Sequence, residues 1–264
     1  MPGGAGPDRA CGHAKSGETI SVSAEGRTML RRLVRKLRGR LFHESSEERF
    51  AFFDVGFHGD LHLLEVVNAI MSKCNVFVET GTNVGSTLAY VARTYPGVLC
   101  FSCEPDVAAC SHAKNNIAKY DNVRLSNETS KEFLKRLLAE PDILNGEVAF
   151  WLDAHGHGFE WPLREEVRVI TDHWERAFLL IDDFLVPGLD CFGYDEYGGQ
   201  VCSFDFIKDS LSGRRQYNLY YPQYTDRTSR HHPLRGWGLI EYGHPDGFDL
   251  PERLKGRVIR HPWL

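Results

Sequence analysis

Acidic side chains follow four of the apolar runs that have the composition of buried strands. They are Glu79, Glu104, Asp153 and the pair Asp182-Asp183. Parallel strands place their carboxyl ends at one edge of a sheet, so we expect these acids to converge on one rim. One acid after a strand is ordinary turn chemistry, whereas four in succession predict a binding or catalytic site.

A glycine-punctuated turn at residues 81–85 follows the first acid, Glu79, and a helix is expected to begin near Ser86. Glycine lets the backbone approach a ligand closely, and a helix N-terminus offers free N–H groups. The turn has neither the dinucleotide-binding nor the P-loop pattern, and it contains no Lys or Arg to neutralise phosphates. The acid before it favours a cofactor with an ammonium or sulfonium group.

Glu104 ends the next predicted strand, twenty-five residues after Glu79. A carboxylate at that point can accept both hydrogen bonds from a ribose diol. The turn and Glu104 together therefore predict a site for a nucleoside-bearing cofactor.

The second acidic group consists of Asp153, Asp182 and Asp183, and it suits Mg²⁺ or another hard divalent cation. His155 and His157 follow Asp153 closely. Either histidine could act as a base, because its pKa lies near neutral pH, or could bind metal. Alternatively, both only hydrogen-bond within their loop; a zinc site made from this loop alone would be cramped.

Two loops could face an acceptor. Residues 184–197 follow the acid pair directly and are rich in glycine, aromatic and acidic residues. Tyr194 and Tyr197 could stack on a substrate or hydrogen-bond to it, or the loop could simply be packed by its own aromatic rings. Residues 223–238 could close over the substrate or form a surface turn.

The elements that would position these side chains alternate along the chain. The predicted strands lie at 76–80, 98–102, 123–125, 148–152, 177–181, 217–221 and 238–242, and the predicted helices at 60–73, 87–93, 107–119, 130–140, 163–174 and 204–211. This alternation predicts an α/β fold, a doubly wound and mostly parallel seven-stranded sheet with an antiparallel C-terminal strand.

The motifs Val-Phe-Val-Glu-Thr-Gly-Thr-Asn-Val-Gly and Ser-Cys-Glu-Pro-Asp resemble the first two motifs of class I S-adenosylmethionine-dependent methyltransferases. The resemblance covers about residues 58–243 and implies a Rossmann-like methyltransferase fold. It places the methionine part of the cofactor at the glycine turn, the ribose at Glu104 and the adenine near residues 127–134. The implied cofactor contacts are Glu79, Gly81, Thr82, Asn83, Gly85, Ser86, Glu104, Thr129 and Ser130.

The later acids resemble those of metal-dependent small-molecule and sugar O-methyltransferases. The resemblance implies that Asp153, Asp182 and Asp183 hold a divalent cation, Mg²⁺ above all, which binds the acceptor and lowers the pKa of its hydroxyl. The catechol-type branch has a lysine base shortly after the first aspartate, where this chain has histidines. The expected catalytic residues are Asp153, His155 and His157, and the expected reaction is methyl transfer from S-adenosylmethionine to a hydroxyl of a small acceptor.

Two other functions fit the same fold, since fold does not imply function. The chain could bind the cofactor, or nothing, and act as a scaffold subunit without turnover. It could also be a hydroxylase-like relative that uses the acidic cluster without methyl transfer.

The charge of the chain is uneven. The net charge of -5 gives no nucleic-acid signature, yet residues 1–43 hold nine Lys/Arg and three Asp/Glu. We expect a disordered leader at 1–27, a basic amphipathic helix (28–42) with a connector to residue 57, and a catalytic domain at 58–264. The helix would pack on the domain or on a second copy in a homo-oligomer, or contact an anionic membrane surface.

The seven cysteines are irregularly spaced, and no apolar run is long enough for a membrane span. The N-terminus also lacks the apolar core of a signal peptide. Reduced thiols suit the cytoplasm, which is the expected location.

Overall fold

A computed structural model describes residues 56–155, 161–226, 233–244 and 248–262. The predicted leader, the basic helix at 28–42 and His157 lie outside these ranges. Those assignments and the domain boundaries drawn from them stay predictions.

The strands in chain order are β1 (Val76–Thr80), β2 (Leu99–Cys103), β3 (Val123–Ser126), β4 (Val148–Leu152), β5 (Ala177–Ile181), β6 (Glu196–Tyr197), β7 (Gln200–Val201), β8 (Tyr217–Pro222), β9 (Gly238–Tyr242) and β10 (Val258–Pro262). Eight of them form one sheet in the order β10-β8-β9-β5-β4-β1-β2-β3, and β6 and β7 pair with each other in a second, two-stranded sheet. Strands β1 to β5 pair in parallel, whereas β9 is antiparallel to β5 and β8, and β10 is antiparallel to β8.

The predicted doubly wound, mostly parallel sheet is confirmed, and so is its antiparallel end. The count of seven strands was wrong by one, because β10 adds an eighth strand beyond β8. Its sequence is Val258-Ile259-Arg260-His261-Pro262. It contains too few apolar residues to be predicted as a strand from the sequence. Only its pairing with a strand far away in the sequence defines it as a strand.

The helices are α1 (Leu61–Met71), α2 (Ser86–Thr94), α3 (Val107–Ile117), α4 (Ser130–Leu137), α5 (Pro141–Leu144), α6 (Leu163–His173) and α7 (Phe204–Ile207). Side-chain caps define several of their starts. Asp60 accepts hydrogen bonds from the backbone N–H groups of His62 and Leu63 at 2.9 and 3.3 Å, and such a cap typically stabilises a helix by about 1 kcal/mol. None of the helices in the described ranges is long and apolar enough to cross a membrane.

Every position of β1, β4 and β5 is buried, so both faces of the central sheet are covered. Strands β1 and β4 are neighbours, and the chain order reverses between them. A crevice at such a reversal, beyond the carboxyl ends of the strands, is where doubly wound sheets bind ligands. Glu79 in β1 and Asp153 after β4 lie at this place.

Candidate active site

The glycine turn fits tightly between two other strand ends. Gly81 has a φ of 85°, and a Cβ there would lie 2.5 Å from the backbone oxygen of Asp153. The N–H groups of Gly81 and Thr82 both donate to the carbonyl of Cys103 at 3.1 Å. Asn83 and Gly85 also have positive φ, at 48° and 84°. The turn is therefore fixed against the ends of β2 and β4, and glycine is needed at position 81 for steric reasons as well as conformational ones.

Glu79 is a buried acid, 1% exposed, at the end of β1. Ser102 Oγ donates a 2.6 Å hydrogen bond to its Oε2, and the hydroxyls of Ser102 and Thr82 are hydrogen-bonded to each other. Burial raises the pKa of Glu79 to about 8, although the Ser102 hydrogen bond acts in the opposite direction. At neutral pH the group is thus mostly protonated, and a nearby cation would favour its charged form.

Glu104 bridges two backbone segments at the end of β2. Its Oε2 accepts from the N–H of Asn83 at 2.7 Å, and its Oε1 accepts from the N–H of Asp106 at 2.9 Å. Each carboxylate oxygen can accept a further hydrogen bond. The acid is therefore fixed in position and still able to bind a diol.

The residues expected near adenine are less directly suited. The Thr129 side chain caps α4 in a capping box with Glu132, and its hydroxyl donates to the Glu132 carboxylate at 2.9 Å. Ser130 is buried and Ser86 is half-buried at the start of α2. Their roles as cofactor contacts stay predictions.

The acid pair after β5 receives an unexpected partner from the chain before α1. His58 Nε2 lies 2.7 Å from Asp182 Oδ2. The ring of Phe57 packs edge-on against Trp151, with centroids 4.8 Å apart, and so anchors the segment that carries His58. Burial lowers the pKa of His58, but the charge and hydrogen bond of Asp182 outweigh it and bring the pKa to about 9.

His155 lies between three aspartates. Its Nε2 is 2.7 Å from Asp153 Oδ1 and 3.7 Å from Asp183 Oδ2, and its Nδ1 is 3.2 Å from Asp195 Oδ2. Burial lowers the pKa of His155, but the hydrogen bond and charge of Asp153 outweigh it and bring the pKa to about 10. In this state the ring holds a proton at neutral pH, and its predicted role as a base stays a prediction.

Arg235, from the loop before β9, closes the other side of the cluster. Its Nε donates to Asp183 Oδ1, and its Nη2 donates to Asp195 Oδ1 at 3.1 Å. Tyr197 donates its hydroxyl to Asp195 Oδ2 at 2.8 Å. Burial, together with the charge of Asp182, raises the pKa of Asp183 to about 7 despite the guanidinium.

Among the described residues, two overlapping sets have ligand atoms within 4.8 Å of one another. They are His58, Asp182 and Asp183, and His155, Asp183 and Asp195. The donor chemistry suits a divalent cation, with one nitrogen and two carboxylates in each set. Asp182 and Asp183 lie together in the first set, but Asp153 belongs to neither set. The prediction that Asp153, Asp182 and Asp183 together bind a metal therefore stays a prediction.

A small pocket of about 10 Å³ opens beside the cluster on the α6 side. It is lined by Leu152, Asp153, Ala154, His155, Trp161, Leu163, Glu166, Ile181, Asp182 and Cys202. This volume is close to the minimum for one water-sized group. The pocket connects the acids after β4 and β5 to the N-terminal turn of α6.

Sequence reasoning missed His58 and Glu166, and it placed Asp195 and Arg235 only within two loops that could face an acceptor, without a role in the acidic cluster. Only Glu166 had a sequence signal: it lies at i+3 from Leu163 in α6, on the apolar stripe with Val167 and Ile170, and all four are buried. A charged residue on a buried helix face is unusual and indicates a special role. The other three come from segments without periodicity, and only the tertiary fold brings them to the rim.

No protein-family model matches the chain, and no curated protein matches it. Solved structures similar to it include the O-methyltransferase TomG from Streptomyces achromogenes in complex with SAM (14% identity, 69% of this chain and 79% of that chain, TM-score 0.49). A putative O-methyltransferase from Klebsiella pneumoniae is similar at 14% identity, with 81% and 97% covered and a TM-score of 0.48. Spermidine synthase from Thermotoga maritima is similar at 16% identity, with 74% and 65% covered and a TM-score of 0.47.

Proposed function

We propose that the protein transfers a methyl group from S-adenosylmethionine to a hydroxyl group of a small acceptor. The observation that carries this proposal is the pairing of Glu104 with the glycine turn. The Asn83 N–H holds the Glu104 carboxylate beside the backbone of the turn, where it can accept from a ribose diol. The absence of Lys and Arg from the turn favours a cationic cofactor over a pyrophosphate.

The chain's own residues would act mainly by positioning. Glu104 would hold the ribose, and Glu79 would face the cationic half of the cofactor, where a positive charge favours its ionised form. Methyl transfer needs the acceptor oxygen in line with the sulfonium, and holding both in place supplies much of the catalysis. Asp153 and His155 follow β4, whereas Glu79 lies in the neighbouring strand β1. We place the acceptor on the β4 side of this crevice.

We also propose that a divalent cation assists the reaction. Asp182 and Asp183 would hold it, with His58 or His155 as nitrogen donor, in keeping with the ligand sets that converge there. Such a cation lowers the pKa of an acceptor hydroxyl when bound. Arg235 and His58 already balance the charge of the two aspartates, so the proposal requires that a metal compete with these partners.

Calorimetry with S-adenosylhomocysteine tests the cofactor site. The wild-type protein is expected to bind it, and Glu104→Ala to lose at least about tenfold in affinity, equivalent to about 1.4 kcal/mol. Glu175→Ala removes an exposed acid before β5 and serves as the matched control with unchanged affinity. Absence of binding, or equal binding by the Glu104 variant, would refute the cofactor assignment.

Chelation tests the metal separately. Turnover is expected to fall on removal of divalent cations, to return with Mg²⁺ or Mn²⁺, and to be lost in Asp182→Ala. Asp172→Ala, an exposed position in α6, is the control. If neither chelation nor Asp182→Ala changes turnover, the proposed metal is refuted. The proposed cofactor site would not be affected by that result.

A further inference from the structure

Each aspartate of the rim has a cationic partner from the chain itself. Asp153 pairs with His155, Asp182 pairs with His58, and Asp183 shares Arg235 with Asp195. The remaining acids, Glu79 and Glu104, accept hydrogen bonds from Ser102 and from backbone amides. These groups are satisfied without a ligand.

Glu166 differs from all of them. Its side chain is 1% exposed, and neither carboxylate oxygen has a hydrogen-bond partner in the described part of the chain. The hydroxyls of Ser130 and Thr80 lie near enough to lower its pKa, but burial dominates and raises the pKa to about 7. Neither hydroxyl forms a hydrogen bond of acceptable geometry with the carboxylate, and the Thr80 hydroxyl is itself without a partner among the described residues.

An unpaired buried carboxylate is costly. Removing such an ion from water is unfavourable even after the surroundings relax. The position of Glu166 in the first turn of α6 favours its charge through the helix dipole. A cationic group of a ligand would favour that charge more strongly.

The size and lining of the pocket next to Glu166 indicate which kind of cation could bind there. Its volume of about 10 Å³ admits a water-sized group. Six of its ten lining residues are apolar, and one of these is Trp161. His155 also lines the pocket, but the charge of its imidazole is already balanced by Asp153 and Asp195. A magnesium ion requires about six oxygen ligands, and Glu166 belongs to neither converging ligand set. An ammonium group suits a carboxylate beside an aromatic wall better.

We propose that the acceptor carries an amino group, and that Glu166 binds this ammonium in the pocket beside Trp161. The inference rests on the proposed function only in that the same acceptor presents its hydroxyl to the rim formed by Asp153 and Asp182. The substrate class is therefore an amino-bearing hydroxylated small molecule, such as an amino alcohol, an amino sugar or an aryl ethylamine.

Binding of matched compound pairs tests the proposal without turnover. The pairs are 2-aminoethanol and ethylene glycol, D-glucosamine and D-glucose, and 2-(3,4-dihydroxyphenyl)ethylamine and 4-ethylcatechol, measured by calorimetry with S-adenosylhomocysteine present. At least one amine is expected to bind about tenfold more tightly than its amine-free partner. Glu166→Gln is expected to abolish that preference while leaving the amine-free compound unchanged.

Glu165→Gln, the neighbouring and more exposed acid of α6, is the matched control and is expected to keep the preference. Thermal unfolding of each variant verifies folding. Equal binding within all three pairs, binding of no amine, or an undiminished preference in Glu166→Gln would each overturn the ammonium site. A different outcome would separate the two proposals. If the protein prefers the amines but never converts S-adenosylmethionine into S-adenosylhomocysteine, the methyl-transfer proposal is refuted and the ammonium site stands.

Discussion

Two buried glutamates at the site, Glu79 and Glu166, have pKa values that are raised chiefly by burial. Both are 1% exposed. Glu79 accepts a hydrogen bond from Ser102, whereas Glu166 has no such partner among the described residues. A nearby cation would favour the ionised form of both groups. Their charges are therefore linked to ligand binding and to pH.

The pKa of Glu166 predicts a pH-dependent stability. A raised pKa in the folded state favours folding below the unfolded value of 4.5, and this contribution is lost as the pH rises through about 7. Relative to wild type, Glu166→Gln should therefore gain stability between about pH 5 and pH 8, by about 3 kcal/mol over the full titration. Urea unfolding at several pH values measures it. A stability difference between Glu166→Gln and wild type that does not change with pH would contradict the prediction.

Glu79 predicts a preference between two forms of the cofactor. S-adenosylmethionine carries a sulfonium charge that S-adenosylhomocysteine lacks, so Glu79→Gln should weaken binding of the former more, by about tenfold. In the wild type this preference should rise as the pH passes about 8, because more of Glu79 is then ionised. Calorimetry with both compounds at neutral and higher pH measures it. Equal losses for the two compounds would place the sulfonium away from Glu79.

At the scale of elements, the turn after β1 depends on Gly81. The close approach of the Asp153 carbonyl leaves no room for a Cβ at Gly81, and the φ of 85° would strain any residue with a side chain. Gly81→Ala is expected to cost about 1–3 kcal/mol of stability and to impair binding of S-adenosylhomocysteine, because the turn must move away from β4.

Gly97→Ala is the matched control for the turn. A Cβ added at Gly97 would have no heavy atom within 4 Å among the described residues beyond its chain neighbours, and the φ of Gly97 is not positive. Its replacement is expected to be neutral or slightly stabilising, since alanine restricts the unfolded chain. Thermal unfolding and calorimetry on both variants separate the two positions. Equal behaviour of the two alanine variants would show that the steric argument at Gly81 is wrong.

For the whole molecule, the described site lies entirely after residue 56, in the compact unit Phe50–Leu264. We expect deletion of residues 1–43 to leave the affinity for S-adenosylhomocysteine and the turnover of a soluble acceptor unchanged. A scaffold protein would instead lose its partner on this deletion. Pull-down and turnover measured on the same truncated protein distinguish the two, and loss of turnover with folding intact would assign the basic segment to the catalytic unit.

The sequence by itself determined the alternating strands and helices and the glycine turn. It also placed the acids at the carboxyl ends of β1, β2, β4 and β5. These features depend on local periodicity and on short-range turn geometry, which a linear pattern records. The burial of Glu166 was also visible in principle, because it interrupts the apolar stripe of α6.

Only the tertiary structure decided which charges meet. His58 is 124 residues from Asp182, and Arg235 is 52 residues from Asp183. Neither has a local pattern, so sequence spacing could not predict them. The same holds for β10, which is a strand only because β8 offers it an edge. Ion pairing and strand pairing depend on distances in space, and the folded sheet sets those distances.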